Sequence, residues 1–325
     1  MEEGFRLWAN PSSPHAEGRK ARAALEDARE RIKRALGWEG ELIFTSGASE
    51  ALWIALNRAK VERRIVSAVE HDAVFRAAPD AEVVPFDRKK KGIDLEALGD
   101  CAGALVAVQH LNSETGTGLL PFVRNVIGEW VHERGGLLLV DCSQSAGKIT
   151  LPDADMLVIS AHKFGGPIGT GALLVRDFAM LEPAGGHERG YRPGTENLPG
   201  ALGMAAALEA GDRDSWATTT DHRSAFKDAL YRDGEVLSPG WQCSHIFAVV
   251  HPKMSAQALL IRLDAMGFAV SAGSACSSGT LKKSRVLDAF GVPDDVAART
   301  IRVSLGWSTT PEELERFAEA WRSLC

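Results

Sequence analysis

The chain has 325 residues, of which 45% are apolar and 25% charged, and a net charge of −6 at pH 7. These are ordinary values for a soluble globular protein, and the acidic balance, with no basic run longer than residues 88–91, argues against a nucleic-acid surface. No apolar stretch reaches the roughly 20 residues of a membrane helix, and the polar N-terminus lacks the features of a secretory signal, so we expect a cytoplasmic protein.

The cysteines give no support to a disulfide framework or a structural zinc site. They are odd in number and scattered, and none forms a Cys-x-x-Cys pair. The five are Cys101, Cys142, Cys243, Cys276 and Cys325. If one of them is chemically active, its surroundings must single it out.

Residues 13–207 alternate between helical and strand patterns. Residues 16–36 carry apolar side chains at spacings of three and four, which predicts a helix. A second helical stripe lies at residues 123–131 and ends at Gly135. Short apolar runs predict buried strands at residues 65–69, 82–86, 104–108, 137–140, 156–160 and 171–175. This alternation favours an α/β fold with a mostly parallel sheet covered by helices.

After residue 207 the pattern changes to one that is typical of a smaller α+β domain. Strands are predicted at residues 245–250, 268–271 and 300–305, and helices at residues 255–266, 283–290 and from 310 onward. The last helix opens with a capping box and a proline at its first position. We expect a large domain at 13–207 and a small domain formed by 1–12 and 208–325, with residues 211–221 as a surface linker.

A lysine and a glycine-rich loop follow the strand predicted at residues 156–160. The segment 160–171 reads SAHKFGGPIGTG, with Lys163 at its start. Ligands of open α/β sheets collect beyond the carboxyl ends of strands, where a lysine can bind an aldehyde cofactor covalently. A solvated lysine beside a flexible loop is the simpler interpretation of these residues by themselves.

Two further segments suit an aldehyde cofactor with a pyridine ring and a phosphate. Asp141 ends the strand before that of Lys163, and a carboxylate can keep a ring nitrogen protonated, although it could equally cap a helix. Residues 44–50, FTSGASE, lead into an apolar helix. Small hydroxyl residues and glycine at a helix start form an anion site, although a plain capped helix looks similar.

Taken together, these segments resemble the cysteine desulfurases, which belong to the class V aminotransferases of pyridoxal-phosphate fold type I. The resemblance runs in order from residues 10–15, NPSSPH, to residues 302–306, RVSLG. It implies a large domain with a mostly parallel mixed sheet and a smaller C-terminal α+β domain. It also implies pyridoxal 5'-phosphate as cofactor and a homodimer with a shared active site.

The resemblance assigns a role to each matching residue. Lys163 binds the cofactor, and it also acts as the base in catalysis. The phosphate contacts are Ala48, Ser49, Ser160, His162 and, reaching across to the second subunit, Thr195; the ring contacts are His71, Asp141 and Gln144. His71 is also a catalytic candidate, because either an adjacent base such as this imidazole or the phosphate environment must tune the Cys276 thiolate. Asn112 and Arg302 bind the substrate carboxylate, for which a planar guanidinium is suited. Each residue has a plain structural alternative by itself, such as an ion pair for Arg302 or a core histidine for His71, but their ordered co-occurrence favours the functional one.

One cysteine has the surroundings that sulfur transfer needs. Cys276 lies among small residues in segment 271–280, SAGSACSSGT, and such a thiol is accessible. The segment resembles the sulfur-accepting loop of the longer-loop (group I) desulfurases, although a turn with an incidental cysteine is the alternative. Cys142, beside Asp141, is interpreted as a packing residue.

The function implied is conversion of L-cysteine to L-alanine with transfer of sulfur to Cys276 as a persulfide. The sulfur then passes to an acceptor protein, such as an iron–sulfur scaffold or a tRNA-thiolation relay. The alternatives are another reaction of the family (transamination or selenocysteine lysis) or a non-catalytic scaffold for a sulfur-carrier partner. Family members usually open with an Asp-x-x-Ala-Thr-Thr-like turn that shapes the substrate pocket, and this chain lacks one.

Overall fold

A computed structural model describes residues 1–120, 126–211, 215–272 and 284–325. The strands are β1 Glu41–Thr45, β2 Arg63–Ser67, β3 Glu82–Val84, β4 Phe86–Asp87, β5 Gly92–Ile93, β6 Ala104–Gln109, β7 Thr117–Gly118, β8 Leu137–Asp141, β9 Met156–Ser160, β10 Gly171–Val175, β11 Glu235–Leu237, β12 Trp241–Gln242, β13 Ile246–Val250 and β14 Thr300–Ser304. The helices are α1 Glu2–Arg6, α2 Ala16–Leu36, α3 Ala48–Arg58, α4 Asp72–Ala77, α5 Leu95–Leu98, α6 Val126–Glu133, α7 Leu198–Ala210, α8 Thr220–Asp233, α9 Ala256–Ala265, α10 Arg285–Ala289, α11 Asp294–Ala297 and α12 Pro311–Leu324. In this part of the chain, no helix has both the length and the apolar composition required to cross a bilayer.

Seven strands form one mixed sheet in the order β1-β10-β9-β8-β6-β2-β3. The pairs from β9 to β3 are parallel, whereas β10 is antiparallel to both of its neighbours. Apolar side chains cover both faces, with α2 and α7 packed on one face and α3 and α4 on the other. The predicted α/β fold with a mostly parallel sheet is confirmed. The run at 82–86 divides at Pro85, which lacks the N–H that a ladder needs.

Helix α2 supports this sheet and confirms the helix predicted at residues 16–36. The imidazole Nδ1 of His15 accepts a hydrogen bond from the Gly18 N–H at 3.0 Å, which caps the first turn. The helix ends at Gly37, whose positive φ of 64° a glycine adopts without strain. Its apolar stripe, including Leu25 and Ile32, is fully buried against α7 and the sheet.

A second, smaller antiparallel sheet has the order β11-β13-β14 and its own apolar core. Helices α8, α9 and α12 supply that core, and Trp321 at its centre is fully buried. Thr310 and Glu313 form the predicted capping box of α12. The strand predicted at 268–271 is wrong: Ser271 forms only an isolated bridge with Arg302, and the Phe268 ring packs 5.2 Å from that of Phe317.

The predicted division into 13–207 and a small domain of 1–12 plus 208–325 stays a prediction. Residue 207 lies inside α7, so a boundary there would fall within a helix. Helix α1 lies against α7, because a Cβ on Gly4 would come within 2.5 Å of Pro199 Cα. Of the predicted linker 211–221, the last two residues belong to α8.

Candidate active site

A cavity of about 520 Å³ lies where β2, β6, β8 and β9 end. Nine of the residues predicted for the site line it: Ala48, Ser49, His71, Asp141, Gln144, Ser160, His162, Lys163 and Arg302. Arg302 comes from the smaller sheet, so the wall joins two separately packed units. A volume of this size falls within the range of small-ligand sites, roughly 300–1,000 Å³.

A tight turn presents Lys163 to the cavity. Ala161–Phe164 forms one turn of 3₁₀ helix directly after β9, and Gly165 ends it with a positive φ of 84°. The next glycine is needed for space, since a Cβ on Gly166 would lie 2.9 Å from the Ala161 Cβ. The glycines after the lysine therefore build a close-packed turn that fixes where Lys163 leaves the sheet.

The carboxylate of Asp141 is held by the turn that follows β8. Its Oδ1 accepts hydrogen bonds from the Ser143 N–H at 2.9 Å and from the Ser143 hydroxyl at 2.6 Å. Both bonds fall on Oδ1, and together they orient the carboxylate. Asp141 is 9% exposed, and its position at a strand end agrees with the general location of ligands in open α/β sheets.

The start of α3 forms the part of the wall that suits an anion. The N-cap Gly47 has a φ of 150°, and a Cβ on Gly171 would lie 2.7 Å from Gly47 Cα, so both positions require glycine. Ser160 Oγ lies 3.0 Å from Nδ1 of His162. Burial and the cationic Lys163 lower the pKa of His162, which favours a neutral imidazole. Helix N–H groups, a hydroxyl and an imidazole thus line one side.

The imidazole of His71 both lines the cavity and caps α4. Its Nδ1 accepts a hydrogen bond from the Ala73 N–H at 3.1 Å, so a neutral ring carries its proton on Nε2. Burial lowers the pKa of His71 below the ordinary value. We therefore expect a neutral ring at pH 7 with a fixed tautomer.

The guanidinium of Arg302 is aligned by groups from both units. Nη1 donates to the Ser113 carbonyl at 3.0 Å, and Nη2 lies 3.2 Å from the Ser271 hydroxyl. Asn112 builds the loop that holds this carbonyl: its Oδ1 accepts from the Glu114 and Thr115 N–H groups, and its Nδ2 donates to a backbone carbonyl. Asn112 is 1% exposed and lies outside the cavity lining, so its contact with substrate stays a prediction.

Comparison with known proteins places the chain in a family. The family model described as Aminotransferase class-V matches residues 2–317. A cysteine desulfurase of Cereibacter sphaeroides is 34% identical, with 96% of this chain and 87% of that protein covered. Cysteine desulfurase IscS 1 of Archaeoglobus fulgidus is also 34% identical, with 98% and 89% covered. The chain belongs to the class-V aminotransferases, among the cysteine desulfurases.

A solved structure of a NifS-like protein has the same fold. It is 29% identical and superposes with a TM-score of 0.86, covering 99% of this chain and 94% of that one. Enzymes of this family depend on pyridoxal phosphate. The cavity fits that cofactor in its donor set: a lysine, an oriented carboxylate, and a helix start lined with hydroxyl groups.

Of the predicted site residues that the structure describes, Asn112 and Thr195 do not line the cavity. Thr195 is exposed and outside the lining, on a segment that the Arg192–Glu50 ion pair of 2.9 Å fastens to α3. Cys276 lies outside the described residues. Cys142 is fully buried, and burial raises the pKa of its thiol, which supports a packing role.

The structure adds residues in and next to the cavity that the sequence interpretation missed. Ser143 orients Asp141, and its spacing of two residues after a carboxylate is the signal that could have identified it. Glu114 lines the cavity and accepts a hydrogen bond from the Ser284 hydroxyl at 2.6 Å, and burial raises its pKa. Glu70, next to His71, is fully buried. No local pattern distinguishes these two acids from surface carboxylates.

Proposed function

We propose that the chain is a pyridoxal-phosphate-dependent cysteine desulfurase that converts L-cysteine to L-alanine and receives the sulfur on Cys276. One observation carries the proposal. Lys163 and Asp141, at the ends of the neighbouring strands β9 and β8, line the same cavity as Arg302 from the other sheet. An amine, an oriented carboxylate and a guanidinium in one cavity suit an amino-acid substrate on a pyridine cofactor.

The chain's residues divide the task of holding the cofactor. When bound, pyridoxal phosphate supplies an aldehyde that takes an amino group and a ring that accepts electron density from Cα. Asp141, fixed through Oδ1, would hold the ring-nitrogen proton, and Lys163 would bind the aldehyde carbon. His71 would cover the ring and Gln144 would contact its oxygen. The phosphate would lie at the start of α3, contacted by Ala48, Ser49, Ser160 and His162.

Substrate orientation falls to Arg302, together with Asn112. The guanidinium can bind both oxygens of the substrate carboxylate, because Ser113 and Ser271 already set its plane. Lys163, once released from the cofactor, would remove the Cα proton and later return a proton to the product. An amine held within the same cavity can do both without a separate base.

The sulfur step balances between two thiols. The S–S bond to Cys276 forms as the C–S bond of the substrate breaks. One of the two thiol hydrogens ends on the persulfide and the other on the methyl group of alanine. Cys276 must react as the thiolate, the nucleophilic form of the group. The persulfide would then be delivered in the cytoplasm to an acceptor protein, such as an iron–sulfur scaffold or a thiolation relay.

We also propose that two copies of the chain share the site. Thr195 lies exposed and outside its own cavity, which supports the role of reaching a second copy's phosphate. Ile168 lines the cavity yet is 84% exposed, and Trp307 is 61% exposed close to Gly165. A second copy would cover these apolar side chains. We expect a dimer by light scattering, and a Thr195→Val protein mixed with a Lys163→Ala protein should regain part of the lost cofactor affinity.

The decisive experiment supplies the cofactor and L-cysteine, and measures alanine and sulfide together under a reductant. Equal yields are expected from the wild-type protein. Cys276→Ala should keep the visible absorbance of the bound cofactor and lose sulfur transfer; unchanged alanine production by it would reject the role of Cys276. Amino transfer to a keto acid, or a preference for selenocysteine, would favour another family reaction, and a protein without visible absorbance would favour a scaffold.

A further inference from the structure

Glu70 has a carboxyl group that is enclosed and only half satisfied. The residue is 0% exposed. Its Oε1 accepts hydrogen bonds from the Ser67 hydroxyl at 2.6 Å and from the Gln109 N–H at 2.9 Å. Its Oε2 is buried and has no hydrogen-bond partner among the described residues. An ionised carboxylate with one bare oxygen in such a place is costly, whereas the protonated acid loses most of that cost.

The carboxyl group lies one strand away from Asp141. It is bonded to the backbone of Gln109 at the end of β6, and Gln109 is in register with Asp141 at the end of β8. The charged and titratable groups around it come from several elements. The backbone carbonyl of Glu70 accepts a hydrogen bond from Arg285, and that guanidinium also lies 3.3 Å from Asp72. His71 follows directly in the chain.

We propose that Glu70 is held protonated at neutral pH and is a positioning residue that leaves Asp141 to carry the negative charge facing the cofactor ring. The inference rests on the proposed function, and it assigns unlike charge states to two neighbouring carboxyl groups. Sites with paired acids commonly separate them by environment in this way. Here the environments differ as required: Asp141 borders the cavity, and Glu70 lies behind it.

The electrostatics of the site agree with this assignment. Burial, and to a smaller degree the charge of Asp141, raises the pKa of Glu70. The hydrogen bonds from Ser67 and Gln109 lower it, and the net result is a pKa of about 8. Above that pH a second negative charge would appear one strand from Asp141. It would raise the pKa of the cationic groups near it, including the protonated ring nitrogen.

The first test uses the protein without cofactor. Glu70→Gln keeps the shape of the protonated acid, including a donor at the position of Oε2. The folded wild-type protein retains a proton that the unfolded chain releases above the ordinary value of 4.5, so its stability should fall as pH rises from about 5 to 8. We therefore expect the Tm of Glu70→Gln minus the Tm of the wild type to become more positive as the pH rises from 5 to 8. A Tm difference that is constant from pH 5 to 8 would overturn the proposal.

The second test uses the loaded enzyme and follows the visible absorbance of the cofactor against pH. Wild-type protein should show a transition near pH 8 that Glu70→Gln lacks, and the two should match below pH 7. Ser67→Ala removes a hydrogen bond that lowers the pKa of Glu70, so its transition should move to higher pH. Identical curves for wild type and Glu70→Gln would overturn the link to the ring.

The two tests fail separately. Absence of visible absorbance in every variant would reject the proposed function, whereas the Tm comparison without cofactor would still decide whether Glu70 holds its proton. Loss of absorbance in Glu70→Gln alone, at all pH values, would show that the site needs an ionised Glu70 and would contradict the inference.

Discussion

The two sides of the cavity are built in different ways. On the side of the large sheet, Lys163 and Asp141 follow adjacent strands whose register fixes their separation, and each is set by a short turn of its own. On the other side, Arg302 belongs to a small sheet with a separate core, and it reaches the large unit through the Ser113 carbonyl. Cofactor binding should therefore depend on one sheet, and substrate binding on how two cores pack together.

The largest expected effect is on the large-sheet side. Lys163→Ala removes the proposed covalent partner of the cofactor, which is also the proposed base, so we expect a fall in kcat of about 100- to 10,000-fold and a changed visible spectrum. Lys148 is the matched control: burial lowers its pKa to about 8, close to the site, but it does not line the cavity. Lys148→Met should keep the spectrum. Reduction with borohydride followed by peptide mapping should label Lys163; label on Lys148 would reverse the assignment.

The second-largest effect is expected in the core of the small unit, where substitutions test whether its packing affects substrate binding. Trp321 is fully buried at its centre, and Trp321→Ala should destabilise the protein by about 3–5 kcal/mol. Trp321→Phe should cost less, because the buried indole N–H has no hydrogen-bond partner among the described residues.

The control for Trp321 lies in the large core. Leu25→Ala there should cost about 2–5 kcal/mol without altering the KM for cysteine, whereas the Trp321 variants should raise KM through Arg302 and leave cofactor affinity unchanged. Denaturant unfolding together with steady-state kinetics checks both. If the Leu25 and Trp321 variants have equal KM values for cysteine, substrate binding does not depend on the small core more than on the large one.

The sequence was a good guide to the large-sheet side for a physical reason. Lys163 and Asp141 stand at the ends of apolar runs, and the carboxyl ends of neighbouring parallel strands meet at one edge, so strand prediction placed both side chains together. The start of α3 was predicted as a helix, but β1 before it was missed. That strand, Glu41–Thr45, is only five residues long and carries a glutamate and a threonine at its ends.

The remaining features, on both sides of the cavity, depended on contacts that no local pattern encodes. The run at 268–271 was predicted as a strand, yet its Phe268 ring packs into the small core instead. Asn112 was identified through the family resemblance, but its Oδ1 is bound within its own loop and its Nδ2 to the Val69 carbonyl. Glu70 could not be recognised, because its enclosure comes from Ser67 and from Gln109 on another strand.

A moderate effect is expected at Arg302 itself. Arg302→Lys keeps the charge but loses the planar pair of donors, and a charge-assisted hydrogen bond contributes about 1.5–3 kcal/mol. We therefore expect KM for cysteine to rise about 10- to 100-fold, with unchanged absorbance of the cofactor. Arg299→Lys is a control from the same small unit, paired with Asp295 at 3.3 Å. A lowered kcat at constant KM would point to a role in the chemical step instead.

The smallest effect is expected at the N-terminal cap of α12, a helix of the small unit. The Thr310 hydroxyl accepts a hydrogen bond from the Glu313 N–H at 3.2 Å, and its loss in Thr310→Ala should cost about 1 kcal/mol. Thr310→Ser keeps the oxygen and should cost less. Thr310 does not line the cavity, so a stable fold with unaltered KM is expected, measured by urea unfolding and by kinetics on the same preparations. If KM rises although Thr310→Ala lowers the free energy of unfolding so little, the position of Arg302 depends on the packing of the whole small core. Its contacts with Ser113 and Ser271 would then not suffice to fix it.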